Sequence, residues 1–432
     1  MRYEFFVARR VAAKGEQSFS RLILRIATIA VAMSMTVMIC TTALVAGFQN
    51  EISSKIFGFW GHIHITDANI YQSLLEARPI PRNQDFYPGL DTIGRIEYLE
   101  VREVMGRPVE RWTQTKGGIR HIQTFALRPG IIKAGDQIEG IVLKGVGADF
   151  DWSFMQQFMV EGDRISNPDS TASDDILISR QTADRLQVGV GDRFTITFVT
   201  ENSQQLQRRF NVSGIYKTGL EEYDRKFALV DLRKLQQLMG WDENQVGGFE
   251  IFVEDIDDLE PITEYIYLEE LPNNLFAESI RKKLPEIFEW LALQDGNEIV
   301  IISLMVVVAI INMITALLIL ILERTNMIGT LKSLGASNWS IRQIFLYYAA
   351  RIIAVGIIWG NLIGIALCLA QKYGKFIKLQ EENYYLSYAP IDLNPWLILL
   401  LNVATLVITV LFLVVPSYLV TRIDPIKAIR FK

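Results

Sequence analysis

Four long apolar windows constrain the fold of this 432-residue chain more than any other feature of its sequence. They cover residues 22–45, 299–322, 345–370 and 396–421, and each is long enough to cross a hydrocarbon core about 30 Å thick. A mean hydropathy of +0.21 agrees, because soluble chains rarely average above zero. The windows exclude a purely soluble enzyme, and their length excludes a β-barrel, whose strands alternate over about ten residues.

Charge is distributed unevenly along the chain. Residues 49–298 carry 26 Lys and Arg against 41 Asp and Glu, whereas the remainder carries 17 against 7. Basic residues are in excess before the first window, in the 323–344 loop and at the C-terminus, so the positive-inside rule places both termini and that loop in the cytoplasm. The acidic 49–298 segment then lies outside, and its charge makes it a poor partner for nucleic acid.

The sequence therefore predicts a membrane protein with four transmembrane helices, one plus three, and a large α+β extracytoplasmic domain between helices 1 and 2. We expect an N-terminal interfacial helix as well, although a basic tail that only sets orientation would have the same composition. The predicted boundaries are 1–21 for the N-terminal helix, 22–48 for span one, 49–298 for the outer domain, 299–322 for span two, 323–344 for a cytoplasmic loop, 345–370 for span three, 371–395 for an outer loop, 396–421 for span four and 422–432 for the tail.

Strand-like and helical patterns alternate in the outer domain, which favours an α+β fold. Two of the strands, 194–199 and 210–215, flank ten polar residues at 200–209, which predicts a projecting hairpin tip; an ordinary mobile loop fits that composition as well. The other strand-like runs are 62–66, 118–124, 140–144, 176–178 and 249–253, and the helical patterns are 70–76, 180–186, 232–239, 259–270 and 275–293.

Catalytic and metal-binding signatures are missing from the sequence. The two cysteines, Cys40 and Cys368, both lie in predicted spans, which excludes a disulfide scaffold or a Cys-based zinc module in the outer domain. His62 and His64 share one face of a strand, but no third ligand has a recognisable spacing, so we expect no metal site. Neither G-x-S-x-G, HExxH nor G-x-x-x-x-G-K-[ST] occurs, so any ATP that drives this protein must bind another chain.

Small and amide residues recur inside the predicted spans. Gly356, Gly360 and Gly364 follow at four-residue spacing in span three, which predicts close helix packing either within the chain or across a dimer. Asn361 and Asn402 are typical of amides that hydrogen-bond neighbouring helices. We also expect Pro416 to kink the last span.

The 323–344 loop has the pattern of a short amphipathic helix. Met327, Ile328, Leu331 and Leu334 fall at i, i+1, i+4 and i+7, and Gly335 is a natural residue to end a helix. A helix braced between two spans could transmit force from a cytoplasmic partner. A helix that merely rests on the inner membrane interface would show the same pattern.

The chain resembles the permease subunits of lipoprotein-releasing ABC transporters (LolC/LolE-like), within the wider MacB/FtsX-type permease superfamily. The resemblance covers essentially the whole chain, and its strongest part is the Glu323-Arg324 pair followed by the Ile328-Gly329-Thr330-Leu331-Lys332-Ser333-Leu334-Gly335 run. The other matching pieces are residues 47–48, 61–65, 188–192, 212–216, 219–224 and 424–430.

The resemblance implies a mechanotransmission machine in the bacterial inner membrane, without catalytic activity of its own. A second permease, the same or paralogous, and a cytoplasmic ATPase dimer that binds ATP and Mg would complete it, and a lipoprotein would be expelled rather than moved across the bilayer. The coupling residues carried over are Arg324, Met327, Ile328, Leu331, Lys332 and Leu334. A hairpin that contacts a periplasmic lipoprotein chaperone would correspond to Thr200, Glu201, Gln204, Gln205, Arg208 and Arg209, although this segment is short and lacks proline.

Two other functions fit the same architecture. A MacB-like efflux or peptide-export permease would look nearly identical, although MacB-like members carry a fused ATPase. An FtsX-type membrane regulator of cell-wall hydrolases would have a smaller outer domain.

Overall fold

The computed structural model describes residues 18–68, 78–104, 107–134, 137–165, 172–199, 205–380, 384 and 386–422. Most of the expected interfacial helix (residues 1–17), the predicted helix at 70–76 and the tail beyond Arg422 lie outside these residues. The chain divides into two compact units, described separately below. The membrane unit comprises Met1–Glu51, Glu289–Lys378 and Tyr388–Lys432, and the α+β unit comprises Ile52–Phe288 and Leu379–Ser387.

The described residues form eleven α-helices and fourteen strands. The helices are α1 (Ser18–Trp60), α2 (Trp152–Gln156), α3 (Arg180–Leu186), α4 (Glu221–Lys226), α5 (Leu232–Met239), α6 (Leu259–Tyr265), α7 (Ile280–Lys283), α8 (Pro285–Glu323), α9 (Thr325–Ser333), α10 (Asn338–Gly374) and α11 (Pro395–Ser417). The strands are β1 (Ile63–Asp67), β2 (Ile80–Pro81), β3 (Glu97–Val104), β4 (Arg107–Gln114), β5 (Ile119–Ala134), β6 (Gln137–Val146), β7 (Met159–Gly162), β8 (Asp175–Ser179), β9 (Arg193–Val199), β10 (Gln205–Tyr216), β11 (Phe227–Asp231), β12 (Gln245–Val246), β13 (Gly248–Val253) and β14 (Leu275–Ser279).

The helices α1, α8 and α10 contain the first three apolar windows, and α11 together with the 3-10 helix that follows it contains the fourth, which confirms the one-plus-three arrangement of candidate spans. Each is long and apolar enough to cross a membrane, with mean hydropathies between 2.1 and 3.0 over their most apolar stretches. The helices α1, α8 and α10 extend beyond the predicted limits, since the polar residues that flank an apolar window can continue a helix. The proline predicted to kink the last span, Pro416, lies in the final turn of α11, which continues as a 3-10 helix over Tyr418–Arg422.

The α+β unit is built on a mixed ten-stranded sheet. Its strand order is β14-β1-β13-β5-β6-β11-β8-β10-β7, and β9 pairs with both β10 and β5. Two pairs, β6 with β11 and β8 with β10, are parallel, and the others are antiparallel. The 16-residue β5 holds the sheet together, because it pairs with β13 near its start and with β6 and β9 towards its end.

Several short elements of the outer domain were not predicted, namely strands β2, β7, β11 and β12 and helices α2 and α4. Three further parts differ from the sequence-based prediction. The predicted helix at 275–293 begins instead with β14, whose residues alternate between buried and more exposed positions as a strand requires. The hairpin of β3 and β4 was not predicted at all, because both strands are largely exposed and so carry no regular apolar face. The third difference concerns the 200–209 tip and is described with the site.

Candidate functional site

The short helix α9 is joined to α8 and α10 by very short connecting segments. Gly335 adopts a positive φ of 89°, and the amides of Gly335 and Ala336 donate to the carbonyls of Lys332 and Leu331, at 3.0 Å in each case. This closes the last turn of α9 in the manner of a glycine C-cap. Ser337 then caps α10 by accepting from the amide of Ser340 at 3.1 Å. The turn between the two helices is therefore fixed by its own hydrogen bonds.

The predicted amphipathic residues of α9 do not all face the same way. Ile328 is completely buried in a cluster with residues of α8, α10 and α11, and Met327 and Leu331 pack against that cluster. Leu334, by contrast, is 79% exposed, and the nearby Trp339 is 53% exposed. Three of the predicted coupling residues thus anchor the helix, whereas Leu334 is available to a partner.

The two polar coupling residues have different surroundings. Arg324 occupies the N-cap position of α9 and is half-buried. Lys332 donates from its Nζ to the carbonyl oxygen of Thr421, at 3.2 Å, in the 3-10 helix that follows α11. The sequence analysis did not single out Arg342, which also reaches α11, because its contacts lie more than 70 residues away along the chain.

The glycines of span three pack against α1 of the same chain. A Cβ at Gly360 would lie 2.6 Å from the Cβ of Met35 and 2.7 Å from the carbonyl oxygen of Ala32. Gly356 lies equally close to Val31, and Gly364 somewhat less close to Ile39. The hydroxyl of Thr36 donates to the carbonyl of Gly360 at 3.2 Å across this seam. The sequence left open whether these glycines pack within the chain or across a dimer, and in the structure they pack within the chain.

The amides of α10 and α11 form a reciprocal pair. Asn361 donates to the Oδ1 of Asn402 at 2.7 Å, and Asn402 donates to the Oδ1 of Asn361 at 3.1 Å. Each side chain therefore satisfies the other inside an apolar region, where an unpaired amide would be costly.

The end of α1, residues 52–60, belongs to the core of the α+β unit. Gly58 lies directly under the ring of Phe154, where a Cβ would clash. Trp60 is almost fully buried and packs edge-on against Phe227 with ring centroids 5.0 Å apart. The terminal carbonyls of α1 are also satisfied: Lys144 donates to that of Phe59 and His64 to that of Trp60.

Four ionisable side chains form a cluster beside this helix end: Lys144, Glu250 and His64 are buried, and Lys283 is partly buried. The Nζ of Lys144 lies 2.7 Å from the Oε1 of Glu250, both side chains being fully buried, and Gln123 donates to the other Glu250 oxygen at 2.8 Å. The Nζ of Lys283 lies 3.0 Å from the Nδ1 of His64. Because an ammonium can only donate, His64 accepts at Nδ1 and carries its proton on Nε2, which faces the carbonyl of Trp60 at 2.6 Å.

Burial dominates the pKa values in this cluster. It raises the pKa of Glu250 and lowers that of Lys144, while the attraction between the two charges opposes both shifts. Burial also holds the pKa of His64 well below its usual value, and the positive charges of Lys283 and Lys144 act in the same direction. The pKa of Lys283 is lowered to about 8 for the same reason, against the influence of Glu278 and Glu250.

The sequence analysis missed the lysine and glutamate of this cluster, although a signal existed. Lys144 interrupts the apolar run of β6, and Glu250 interrupts that of β13. A charged side chain in a buried strand is rarely found without a partner of opposite charge. His62, which directly precedes β1, accepts from the amide of Val253 at 2.8 Å. Both His62 and His64 are therefore hydrogen-bonded within the chain. Among the described residues, no group of three or more His, Cys, Asp or Glu is placed to hold a metal ion.

The predicted hairpin tip at 200–209 is shorter than expected. β10 begins at Gln205, and Gln205, Arg208 and Arg209 pair with residues of β9 as part of the ladder. Their polar side chains are exposed on a strand rather than in a loop. The start of the strand was therefore predicted at residue 210, five residues too late, because the residues before it are polar. Thr200, Glu201 and Gln204 lie outside the described residues.

Taken together, four apolar helices with an α+β domain between the first and the second define a polytopic membrane protein of the one-plus-three type. Two family models match this architecture. The MacB-like periplasmic core domain matches residues 25–266, more than half of the chain, and the FtsX-like permease C-terminal segment matches residues 299–425. The chain belongs to the MacB/FtsX-type permeases and is LolC/LolE-like among them.

The similarity to individual relatives extends over nearly the whole chain. The lipoprotein-releasing system transmembrane protein LolC of Xylella fastidiosa (strain 9a5c) is 20% identical, over 98% of this chain and 97% of its own length. LolE of Haemophilus influenzae is 21% identical over 99% of both chains. LolC of Haemophilus influenzae is 25% identical over 60% of this chain and 64% of its own.

Proposed function

We propose that this chain is a permease subunit of an ABC transporter that releases lipoproteins from the bacterial inner membrane. ATP, with Mg, is hydrolysed by a separate cytoplasmic ATPase dimer, and a second permease completes the complex. Both termini and α9 lie in the cytoplasm, and the α+β unit lies in the periplasm. Similarity to LolC and LolE along nearly the full length supports this assignment.

The observation that carries the proposal is the construction of α9. Its inner face is anchored by Ile328 in a cluster that contains residues of all four spans, and its turn is fixed by Gly335 and Ser337. Leu334 at its end and Trp339 at the start of α10 are two large apolar side chains that are exposed outside the apolar windows. An ATPase that docks on these side chains would displace a rigid element connected directly to α8 and α10.

The outer end of the pathway is α1. This helix is continuous from Ser18 to Trp60, and its last nine residues are part of the core of the α+β unit. A displacement of α1 would therefore be passed along the helix to its last nine residues, which belong to the α+β unit. In this mechanism the force generated by ATP hydrolysis reaches the α+β unit through helices, without passage of the cargo through the bilayer.

A proline substitution in α9 tests the proposal. Thr330→Pro, at an exposed position in the middle of α9, should break the helix at a cost of about 3 kcal/mol, whereas Thr330→Ala should be tolerated. In the native bacterium, depletion of the chain and complementation with Thr330→Pro should leave lipoproteins in the inner membrane fraction. Complementation with Thr330→Ala should restore their delivery to the outer membrane.

Two results would count against the proposal. Normal lipoprotein fractionation in cells that carry only Thr330→Pro would show that α9 does not transmit the force. Disturbed cell division with normal lipoprotein delivery after depletion would favour the regulator of cell-wall hydrolases instead.

A further inference from the structure

The last span, α11, has no direct chain connection to α9. The helix α9 is joined to α8 at one end and to α10 at the other, whereas α11 follows the long segment after α10. Any displacement of α9 must therefore reach α11 through side chains. The apolar part of this contact is Leu413 and Val420, which share the buried cluster of Ile328.

The end of α11 also leaves carbonyl groups that need donors. The last four carbonyls of an α-helix have no partner within the helix, and they form the negative end of its dipole. Pro416 in the final turn has no amide hydrogen to contribute. Positively charged donors from a neighbouring segment satisfy such carbonyls well.

Arg342 supplies these donors with a fixed geometry. Its Nη2 donates to the carbonyl of Val414 at 2.9 Å, and its Nε donates to the hydroxyl of Ser417 at 3.0 Å. The guanidinium lies over the ring of Trp339 at 5.3 Å and over that of Tyr418 at 5.2 Å. Ser417 itself is fully buried and donates to the same Val414 carbonyl at 2.7 Å.

Lys332 makes a second connection one turn further along. It donates to the carbonyl of Thr421 from the last turn of α9 itself. The two cations thus flank the turn at Gly335 and both attach to the end of α11. A guanidinium fork constrains direction as well as distance, which a single ammonium does not.

We propose that Arg342, assisted by Lys332, is the positioning residue that makes the last span move together with α9 during transport. This inference rests on the proposed function, because it concerns how force that enters at α9 is distributed among the spans. Without Arg342, α9 would still be attached to α8 and α10, and Leu334, which Arg342 does not contact, would still be available to the ATPase, although Trp339 would lose the guanidinium over its ring. Hydrolysis would continue, but α11 would no longer follow.

The test measures the ratio of lipoprotein released to ATP hydrolysed. The full chain is purified with its ATPase and second permease, reconstituted in lipid with an outer-membrane lipoprotein of the same bacterium, and supplied with ATP. We expect Arg342→Gln to keep hydrolysis near the wild-type rate and to lower release per ATP about tenfold, the order expected for a lost charged hydrogen bond. The release per ATP of Arg342→Lys should lie between that of the wild type and that of Arg342→Gln. The control Arg351→Gln, at an exposed arginine that also lies in α10, should release as much per ATP as the wild type.

Ser417→Ala removes one acceptor of Arg342 and leaves the arginine in place, so it serves if Arg342→Gln does not assemble. An unchanged ratio in Arg342→Gln, or in both Ser417→Ala and Arg342→Lys, would overturn the inference. A parallel fall of hydrolysis, release and melting temperature would also overturn it, because Arg342 would then serve the fold alone. A wild-type complex that hydrolyses no ATP would instead refute the proposed function, and this inference with it.

Discussion

In the membrane unit α10 meets α1 at three glycines, whereas the α+β unit buries the largest side chains of the chain. Gly356, Gly360 and Gly364 form the contact between α10 and α1. Trp60, Tyr216 and Phe198 are among the largest fully buried side chains, and all lie in the α+β unit. The solvent explains the contrast: apolar burial stabilises contacts in water by about 25 cal/mol per Å², but lipid gives no such gain between helices.

Polar groups inside the two units differ in the same way. The membrane unit holds a partly buried, neutral amide pair, Asn361 with Asn402, and hydroxyls that bond to backbone carbonyls. The α+β unit buries a full ion pair, Lys144 with Glu250, and surrounds it with hydrogen bonds. The charges in the α+β unit should therefore be the less tolerant of substitution.

The largest effect is expected from Glu250→Gln. The substitution leaves Lys144 buried without its counter-ion, which should cost about 3–5 kcal/mol of unfolding free energy. Chemical denaturation of the full chain in detergent measures this loss. The matched control Glu222→Gln breaks an exposed pair with Lys226 and should cost less than about 1 kcal/mol; equal losses in the two variants would break the comparison.

Next in size is Gly360→Val. Its Cβ would lie within 2.7 Å of a backbone carbonyl in α1, so the helices must separate, at a cost of about 1–3 kcal/mol. Thermal unfolding in detergent should show a lower midpoint for Gly360→Val than for Gly364→Val, where the contact is 3.3 Å. Gly296→Ala in α8 meets nothing within 4 Å and should be neutral or slightly stabilising. An unchanged unfolding midpoint in Gly360→Val would show that the close approach of α10 and α1 does not stabilise their contact.

The third prediction concerns pH and Lys283. Its pKa in the folded protein is about 8, below the ordinary value of 10.5, so the unfolded chain binds more protons between these two pH values. Stability contributed by this group therefore rises with pH across that window, by up to about 1.4 kcal/mol per pH unit. Lys283→Met should flatten the slope of unfolding free energy between pH 8 and 10.5. Lys282→Met, the exposed neighbour, should leave it unchanged, and a wild-type profile without this slope would contradict the buried position of Lys283.

The smallest effect is expected from Asn361→Leu. It leaves Asn402 without its partner inside an apolar region, but pairs of this kind contribute only about 0.6–1.7 kcal/mol in membrane proteins. The double variant with Asn402→Leu should recover part of the loss, since no amide is then left unpaired. Thermal unfolding of both variants measures the difference. A double variant less stable than either single variant would show that the two amides stabilise the protein by more than their hydrogen bonds to each other.

Local patterns predicted the membrane unit better than the α+β unit. Four-residue spacing located the glycine seam and the residues of α9, because a helix brings such positions onto one face. The same pattern could not identify Ile328 as buried and Leu334 as exposed, since that depends on α11, more than 60 residues away. The pairing of Arg342 with the end of α11 was beyond local reasoning for the same reason.

In the α+β unit, two of the errors fall where exposure hides the period of a strand, whereas β11 was missed although every one of its residues is buried. The start of β10 at Gln205 is polar on both faces, and β4 is exposed along its length, so neither shows an apolar face. β14 was taken for helix because its short alternation runs directly into α7 and α8. The fold class could be predicted from composition and charge, whereas the strand order depends on contacts that no local window contains.

The most direct test of the account is whether an ATPase associates with the chain through the exposed end of α9. The full chain is co-expressed with the ATPase encoded in its own genome, and the two are purified through a tag on the permease. We predict that Leu334→Asp loses the ATPase while the chain remains folded, and that Leu268→Asp, a similarly exposed leucine of the α+β unit, retains it. Retention of the ATPase by Leu334→Asp combined with Trp339→Ala would contradict the account.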